Sequence, residues 1–143
     1  MKLLAPDASD GEILALCRDW VDLVAAGRIA KALNLLHVPA RYAPSQHWTP
    51  ASLRKYIENH GSWDPLPDGR RRRVTPIATA VAPEDRPGHR PRTDIYRDRD
   101  GSGRGTVELD LPLDGTWSDL TAQFDFGPLD DGVAVALYDL HVL

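Results

Sequence analysis

The amino-acid sequence predicts an α+β fold in which N-terminal helices pack on a curved antiparallel sheet of four to five strands. Apolar residues recur at helical spacing through the first 60 residues, and beyond residue 73 they alternate as in strands. No helix is predicted between the strands, which excludes a βαβ arrangement. The 143 residues are predicted to form one domain, 1–143, with a helical part 9–61, a loop 62–73 and a sheet part 74–143.

Three helical segments are predicted from capping and periodicity. Ser9 and Glu12 have the spacing of a capping box before an apolar stripe that contains Cys17 and Trp20, and Gly27 ends this helix. A second, short helix is expected over 29–36. The third begins at 49–50, where Thr-Pro is typical of a cap and first turn, and it stops near residue 61.

The strands are predicted from apolar alternation between turn-rich stretches. The expected ranges are 74–81, with Pro76 placing this strand at an edge, then 93–97, 105–111, 117–126 and 133–142. The sequence GPLDDG before the last strand is expected to be the final turn.

Charge is distributed unevenly along the chain. The net charge is −4, yet residues 105–143 contain eight acidic residues and no Lys or Arg. Two interpretations remain open: neighbouring strands complement each other's charge, or the acidic third attracts a basic protein partner. The same acidity argues against nucleic acid as a partner.

The composition also predicts the cellular compartment of the protein. No apolar stretch approaches the roughly 20 residues of a membrane helix, and the N-terminus lacks the apolar run of a signal peptide, so a cytoplasmic protein without membrane contact is expected. The single cysteine, Cys17, agrees with a reducing compartment, and its place on the apolar stripe predicts a buried side chain rather than a nucleophile.

The sequence lacks most known catalytic, cofactor-binding and metal-binding motifs. The sequence contains no nucleophile elbow, P-loop or dinucleotide fingerprint, and no cofactor is expected. DRDGSGRG resembles the start of a calcium loop, but position twelve is Leu109 instead of an acid, which favours a hairpin turn. The five histidines lack metal-ligand spacing, so no metal site is predicted. The arginine run 70–73 could contact phosphate, although a solvated, mobile charge run is the favoured interpretation.

The C-terminal sequence ALYDLHVL supplies the best candidate site. Aligning the apolar rows of the last two strands places Asp119 opposite Asp139 and Trp117 opposite His141. Facing carboxylates repel, which favours the protonated form of one of them, and a neighbouring histidine would complete an acid–base cluster. The alternative interpretation is that these residues only solvate the end of the sheet.

Two resemblances add to this reading. CRDWVDLVAAGRIAKALNLL, followed by a further helix and long antiparallel strands, resembles the NTF2-like (SnoaL-like, ketosteroid-isomerase-like) fold, which implies a sheet wrapped around a helix and a cone-shaped pocket. WSDLTAQFDF with the closing YDLHVL is similar to a small bacterial family of unknown function. The first resemblance does not choose between enzyme and binding domain.

The leading functional prediction is therefore a non-catalytic domain that binds a small apolar molecule or a protein and that dimerises through the exposed sheet face. One alternative is a cofactor-independent enzyme of isomerase, dehydratase or cyclase type that uses Asp119, Asp139 and His141. The other is an immunity-type or adaptor protein whose acidic C-terminal surface blocks a basic partner. The aromatic candidates for lining a ligand site are Trp117, Tyr138, Tyr96 and Trp20.

Overall fold

The computed structural model describes residues 1–142 and contains three α-helices followed by four β-strands. The strands form one antiparallel sheet in the order β1-β2-β3-β4, which leaves β1 and β4 at its edges. This confirms the predicted α+β arrangement, whereas the NTF2-like cone stays a prediction. The elements are α1 (Asp10–Ala25), α2 (Ile29–Asn34), α3 (Pro50–Glu58), β1 (Thr93–Arg97), β2 (Gly105–Leu113), β3 (Thr116–Leu129) and β4 (Gly132–Val142).

Both longer helices begin at the predicted caps. The Ser9 hydroxyl accepts a hydrogen bond from the Glu12 backbone N–H at 3.2 Å, and the Thr49 hydroxyl accepts one from Ser52 at 3.1 Å. These contacts satisfy backbone donors that a helix leaves unpaired at its start. The helix predicted over 29–36 is shorter than expected and ends at Asn34.

The strand predicted over 74–81 is wrong. Val74 and Val81 each form one isolated bridge, to Leu113 and Thr116, and a 3₁₀ turn at Ile77–Thr79 separates them. Pro76 cannot donate a ladder hydrogen bond, which explains why pairing is interrupted there.

Two tight turns fix the register of the last three strands. Asp114 and Gly115 connect β2 to β3 with φ angles of 53° and 85°, as a two-residue hairpin turn requires. Asp130 (φ 52°) and Asp131 connect β3 to β4, so that Leu129 pairs with Gly132. The predicted six-residue turn GPLDDG was too long, because its first three residues continue β3.

The predicted pairing of Asp119 with Asp139, and of Trp117 with His141, is also wrong. Asp139 pairs with Gln123, and His141 pairs with Thr121. Two features shift the register. The turn before β4 is shorter than predicted, and a bulge in β4 inserts Tyr138 between Leu137 and Asp139, which pair with Phe124 and Gln123.

A second bulge displaces Asp119 itself. Between the pairs Asp110–Thr121 and Pro112–Trp117, β2 contributes one residue, whereas β3 contributes the three residues 118–120. The Ser118 hydroxyl stabilises this bulge by donating to the carbonyl of Leu111 at 2.7 Å.

The core lies between the helices and one side of the sheet. Trp20 of α1 meets Phe124 of β3 edge to face, with ring centroids 5.4 Å apart, and neither is exposed. Cys17 is also fully buried, and this burial raises the pKa of its thiol, which suits a small core side chain rather than a nucleophile. The most deeply buried members of this core also include Ile13, Leu53, Val107, Leu111, Leu120, Val135 and Leu140.

The edge strand β4 is covered along part of its length. Leu4 and Val133 exchange two backbone hydrogen bonds of 2.9 and 3.0 Å, and the His37 N–H donates to the carbonyl of Val135 at 2.8 Å. Covering an edge in this way removes a template for strand addition.

Candidate functional site

The side of the sheet turned away from the helices is polar, and we refer to it as the open face. Strand alternation and the observed register bring its side chains together from all four strands. Five of these side chains are carboxylates. Among residues 1–142, Arg41 and Arg92 are the only arginines or lysines that form ion pairs with them, and His141 lies 3.4 Å from Asp139. The open face consists of Asp94, Tyr96, Thr106, Glu108, Asp110, Thr121, Gln123, Asp125, Asp139 and His141.

Asp110 is the structural centre of this face. Its two carboxylate oxygens accept hydrogen bonds of 2.8 Å each, one from the hydroxyl of Thr121 and one from the backbone N–H of Arg92. Thr121 is 0% exposed, and its hydroxyl has only one other acceptor, the carbonyl of Asp119 at the longer distance of 3.4 Å. The Arg92 guanidinium reaches Glu108 at 3.3 Å and lies 4.0 Å from Asp94. The centre of the face is therefore held by specific bonds rather than by solvent.

Asp125 anchors the segment that crosses the β4 end of the face. The hydroxyl of Tyr42 donates to it at 2.6 Å, and Arg41 lies 3.4 Å away. Burial, and then the bond to Asp125, raises the pKa of the Tyr42 phenol. Tyr42 also packs edge to face on the bulged Tyr138 at 5.9 Å between centroids. The residues around Asp125 are consequently ordered by both packing and charge.

Three aromatic rings form a cluster beside the C-terminal half of β4. Tyr56 of α3 lies 4.7 Å from Trp63 and 5.3 Å from Trp48, measured between ring centroids. Burial, and then the charge of Asp139, raises the pKa of Tyr56. Trp63 is 49% exposed. Sequence reasoning missed the cluster because its members come from two loops and a helix.

The structure contains two histidine–aspartate pairs instead of one acid–base cluster. His141 Nδ1 lies 3.4 Å from Asp139 Oδ2, without hydrogen-bond geometry. Asp119, the third predicted member, contacts the Nε2 of His60 at 2.7 Å. His60 has a φ of 55°, a left-handed conformation at the end of α3 that no sequence signal indicated.

The separation of Asp119 from Asp139 removes the reason for expecting a shared proton. Their side chains are 50% and 43% exposed, and each lies beside its own histidine. The predicted acid–base arrangement of Asp119, Asp139 and His141 therefore does not form as drawn from the sequence.

The four aromatic residues proposed to line a ligand site do not converge. Trp20 lies wholly in the core, and Trp117 pairs with Pro112 and lines a cleft of 220 Å³ with residues of α1. Tyr96 and Tyr138 are exposed on opposite edge strands, and these strands lie about 14 Å apart across three strand spacings.

The larger clefts lie on the surface, one on the open face and one on the helical side. The first has a volume of 560 Å³ and lies between the segment 37–41 and the N-terminal half of β4, with Arg104 and Asp125 in its lining. The second has a volume of 550 Å³ and contains four arginines at the junction of α1, α2 and α3. Across residues 1–142, no three His, Cys, Asp or Glu side chains come together as a metal site.

Comparison with known proteins adds no assignment. Within the part of the chain that the structure describes, no helix has the length and apolar character to cross a membrane. The chain matches no family model, and no curated protein and no solved structure is significantly similar to it.

Proposed function

We propose that this chain is a protein-binding domain that binds a basic partner through the open face. The observation that carries the proposal is the convergence of five carboxylates, from all four strands, on one side of the sheet, where only two arginines form ion pairs with them among residues 1–142. A surface of one dominant charge accelerates association with a partner of opposite charge and rejects partners of the same charge.

The geometry of the face supports a protein as the ligand. The side chains come from regular strands that two tight turns hold in register, so the surface is ordered before binding and loses little conformational entropy. Four strands span about 14 Å between the outer two, which suits a helix or strand of a partner.

Exposed aromatic side chains at the rim supply the apolar contacts that such an interface needs. Tyr96 and Tyr138 are 54% and 41% exposed at the two edges, and Trp63 of the aromatic cluster is 49% exposed. Tyrosine and tryptophan are over-represented among the residues that dominate binding energy, while rim charges mainly set the association rate. This distribution favours the adaptor or immunity-type prediction over the enzyme.

The proposal is tested by capture of partners on the immobilised protein from lysate of its source organism at low salt. The informative variant is Asp94→Asn/Glu108→Gln/Asp139→Asn, which removes three charges from the open face without touching the half-buried Asp110. The matched control, Asp7→Asn/Glu84→Gln/Asp85→Asn, removes three exposed charges elsewhere.

We expect a basic protein that is retained by the wild type and the control, is lost with the open-face variant, and elutes as the salt concentration rises. Equal retention by both variants would refute the proposal, as would a partner whose binding ignores salt. Amide chemical shifts measured with the purified partner should change at 106–110, 121–125 and 136–141.

A further inference from the structure

The arginine run 70–73 lines a cleft on the helical side of the molecule, which we refer to as the arginine cleft. Its volume is 550 Å³, within the range of small-molecule sites. Arg71, Arg72 and Arg73 line it together with Arg54 of α3, and the C-terminal end of α1 and the start of α2 form the opposite wall.

The backbone of the run is held on both sides. The Arg72 N–H donates to the carbonyl of Glu58 at the end of α3, and the Arg73 carbonyl accepts from Asp114 in the β2–β3 turn, at 3.0 and 2.9 Å. The next residue, Val74, is 2% exposed in the core. The sequence favoured a mobile charge run, but these bonds fix the positions from which the guanidinium groups extend.

The cleft has more positive charge than its own acids balance. Arg72 lies 3.7 Å from Asp114, the closest carboxylate to any arginine of the cleft. Over residues 1–142, Arg54, Arg71 and Arg73 have no carboxylate within 4.0 Å, and Glu58 is the one other acid in the lining. Arg54 and Arg71 also line an adjoining cleft of 480 Å³ with Lys55 and Arg70, which extends the positive surface.

The wall opposite the arginines is apolar. Val24 and Ala25 end α1 there, Ala26 follows as its C-cap, and Ile29 begins α2. Gly27 has a φ of 77°, and the position of a Cβ on it has no neighbouring atom within 4 Å, so the backbone leaves this wall open. A ligand that fits both walls has an anionic end and an apolar or aromatic body.

We propose that the arginine cleft binds an organic phosphate of nucleotide size. Its phosphate oxygens contact the guanidinium groups of Arg54, Arg71 and Arg73, and its body packs on the α1–α2 wall. Arginine suits this ligand because its planar fork donates two parallel hydrogen bonds to phosphate. The site is separate from the open face, so this proposal is independent of the partner proposed above.

A purely structural role for these arginines is the competing explanation. The C-terminal end of α1 has no basic residue in its last turn, and nearby cations would offset its partial negative charge. Such a role predicts a loss of stability when the arginines are replaced and no ligand binding. The two explanations therefore separate in a binding experiment.

The experiment is isothermal titration calorimetry at constant ionic strength with ADP, adenosine and inorganic pyrophosphate as probes. Wild type is compared with Arg71→Gln/Arg73→Gln, and with Arg86→Gln/Arg90→Gln as a control that removes two exposed arginines elsewhere. Arg71 and Arg73 are exposed, so their replacement leaves the core intact.

We expect ADP to bind the wild type and the control with equal affinity, and to bind the cleft variant at least tenfold more weakly. ADP should also bind the wild type more tightly than pyrophosphate does. Adenosine alone should give no measurable heat. The proposal is overturned if neither phosphate probe binds at millimolar concentration, if the control loses as much affinity as the cleft variant, or if pyrophosphate binds as tightly as ADP. A single-stranded oligonucleotide that binds more tightly than ADP and depends on the same two arginines would also overturn it, because the ligand would then be a nucleic acid.

Discussion

The open face and the arginine cleft carry opposite charge and are built in different ways. The carboxylates of the open face are positioned by strand register, and several accept hydrogen bonds from the protein, such as Asp110 from Thr121 and Asp125 from Tyr42. The arginines of the cleft extend from a loop and a helix, and three of its four lack a carboxylate partner within residues 1–142. The bonded carboxylates of the open face therefore contribute to stability as well as to its charge, whereas the unpaired arginines of the cleft have no such bonds.

The separation of the two surfaces depends on the core between them, and Trp20 is its largest fully buried side chain. Trp20→Ala should lower the free energy of unfolding by about 3–5 kcal/mol, because it removes the contact with Phe124 and leaves a cavity. Trp63→Ala, at a 49% exposed position, should cost less than about 1 kcal/mol. Urea denaturation of the two variants measures the difference, and comparable losses would contradict the described core.

Replacement of one residue from each surface sharpens the comparison. Thr121→Val leaves an oxygen of Asp110 without its donor and should lower the free energy of unfolding by about 1–3 kcal/mol. Arg73→Gln removes an exposed side chain without a carboxylate partner and should change it by less than about 0.5 kcal/mol. Chemical denaturation at one salt concentration tests both, and a larger loss for Arg73→Gln would assign the arginine cleft a structural role.

The open face should also respond to alkaline pH through Tyr42. Its pKa is raised above the ordinary value of 10.0 by burial and by the bond to Asp125, so the folded chain retains a proton that the unfolded chain releases. The free energy of unfolding should therefore fall as the pH rises above 10, by at most about 1.4 kcal/mol per pH unit for this one group. Below pH 10 the phenol is protonated in both states and adds no slope.

Tyr42→Phe should make this decline shallower, because the variant has no phenol to ionise at that position. It should also lower stability at neutral pH by about 0.5–1.5 kcal/mol through loss of the hydrogen bond. Thermal unfolding between pH 8 and 11 tests both effects, with Trp63→Phe as a control that removes no phenol. An unchanged slope in Tyr42→Phe would show that Tyr42 does not cause the decline.

The two surfaces also differ in how far the sequence could predict them. Alternation along β3 identified which of the residues 120–126 share a side, because a strand has a period of two. The arginine run was visible as a motif, yet nothing local indicated that α3 and the β2–β3 turn would hold its backbone. Periodicity predicts faces, and only tertiary packing decides whether a loop is ordered.

The register was predicted wrongly for a similar reason. The bulge at Tyr138 gives β4 one extra residue, and the bulge at 118–120 gives β3 two more residues than β2, neither of which the apolar pattern indicates. The proximity of Asp139 and His141 was still predictable, since residues two apart on a strand share a side. The contact of Asp119 with His60 was not, because it joins residues 59 apart through the left-handed end of α3.

Replacing the aspartates of these two histidine–aspartate pairs is expected to have the smallest effect on the free energy of unfolding. Both are partly exposed, and exposed ion pairs contribute about 0–1 kcal/mol. Asp119→Asn should lower the free energy of unfolding more than Asp139→Asn does. The contact between Asp119 and His60 is a hydrogen bond of 2.7 Å, whereas Asp139 lies 3.4 Å from His141 without hydrogen-bond geometry. Urea denaturation at low and high salt measures both, and salt should reduce either effect because these charges are accessible to solvent ions. The opposite order of the two losses would contradict this difference in geometry between the two pairs.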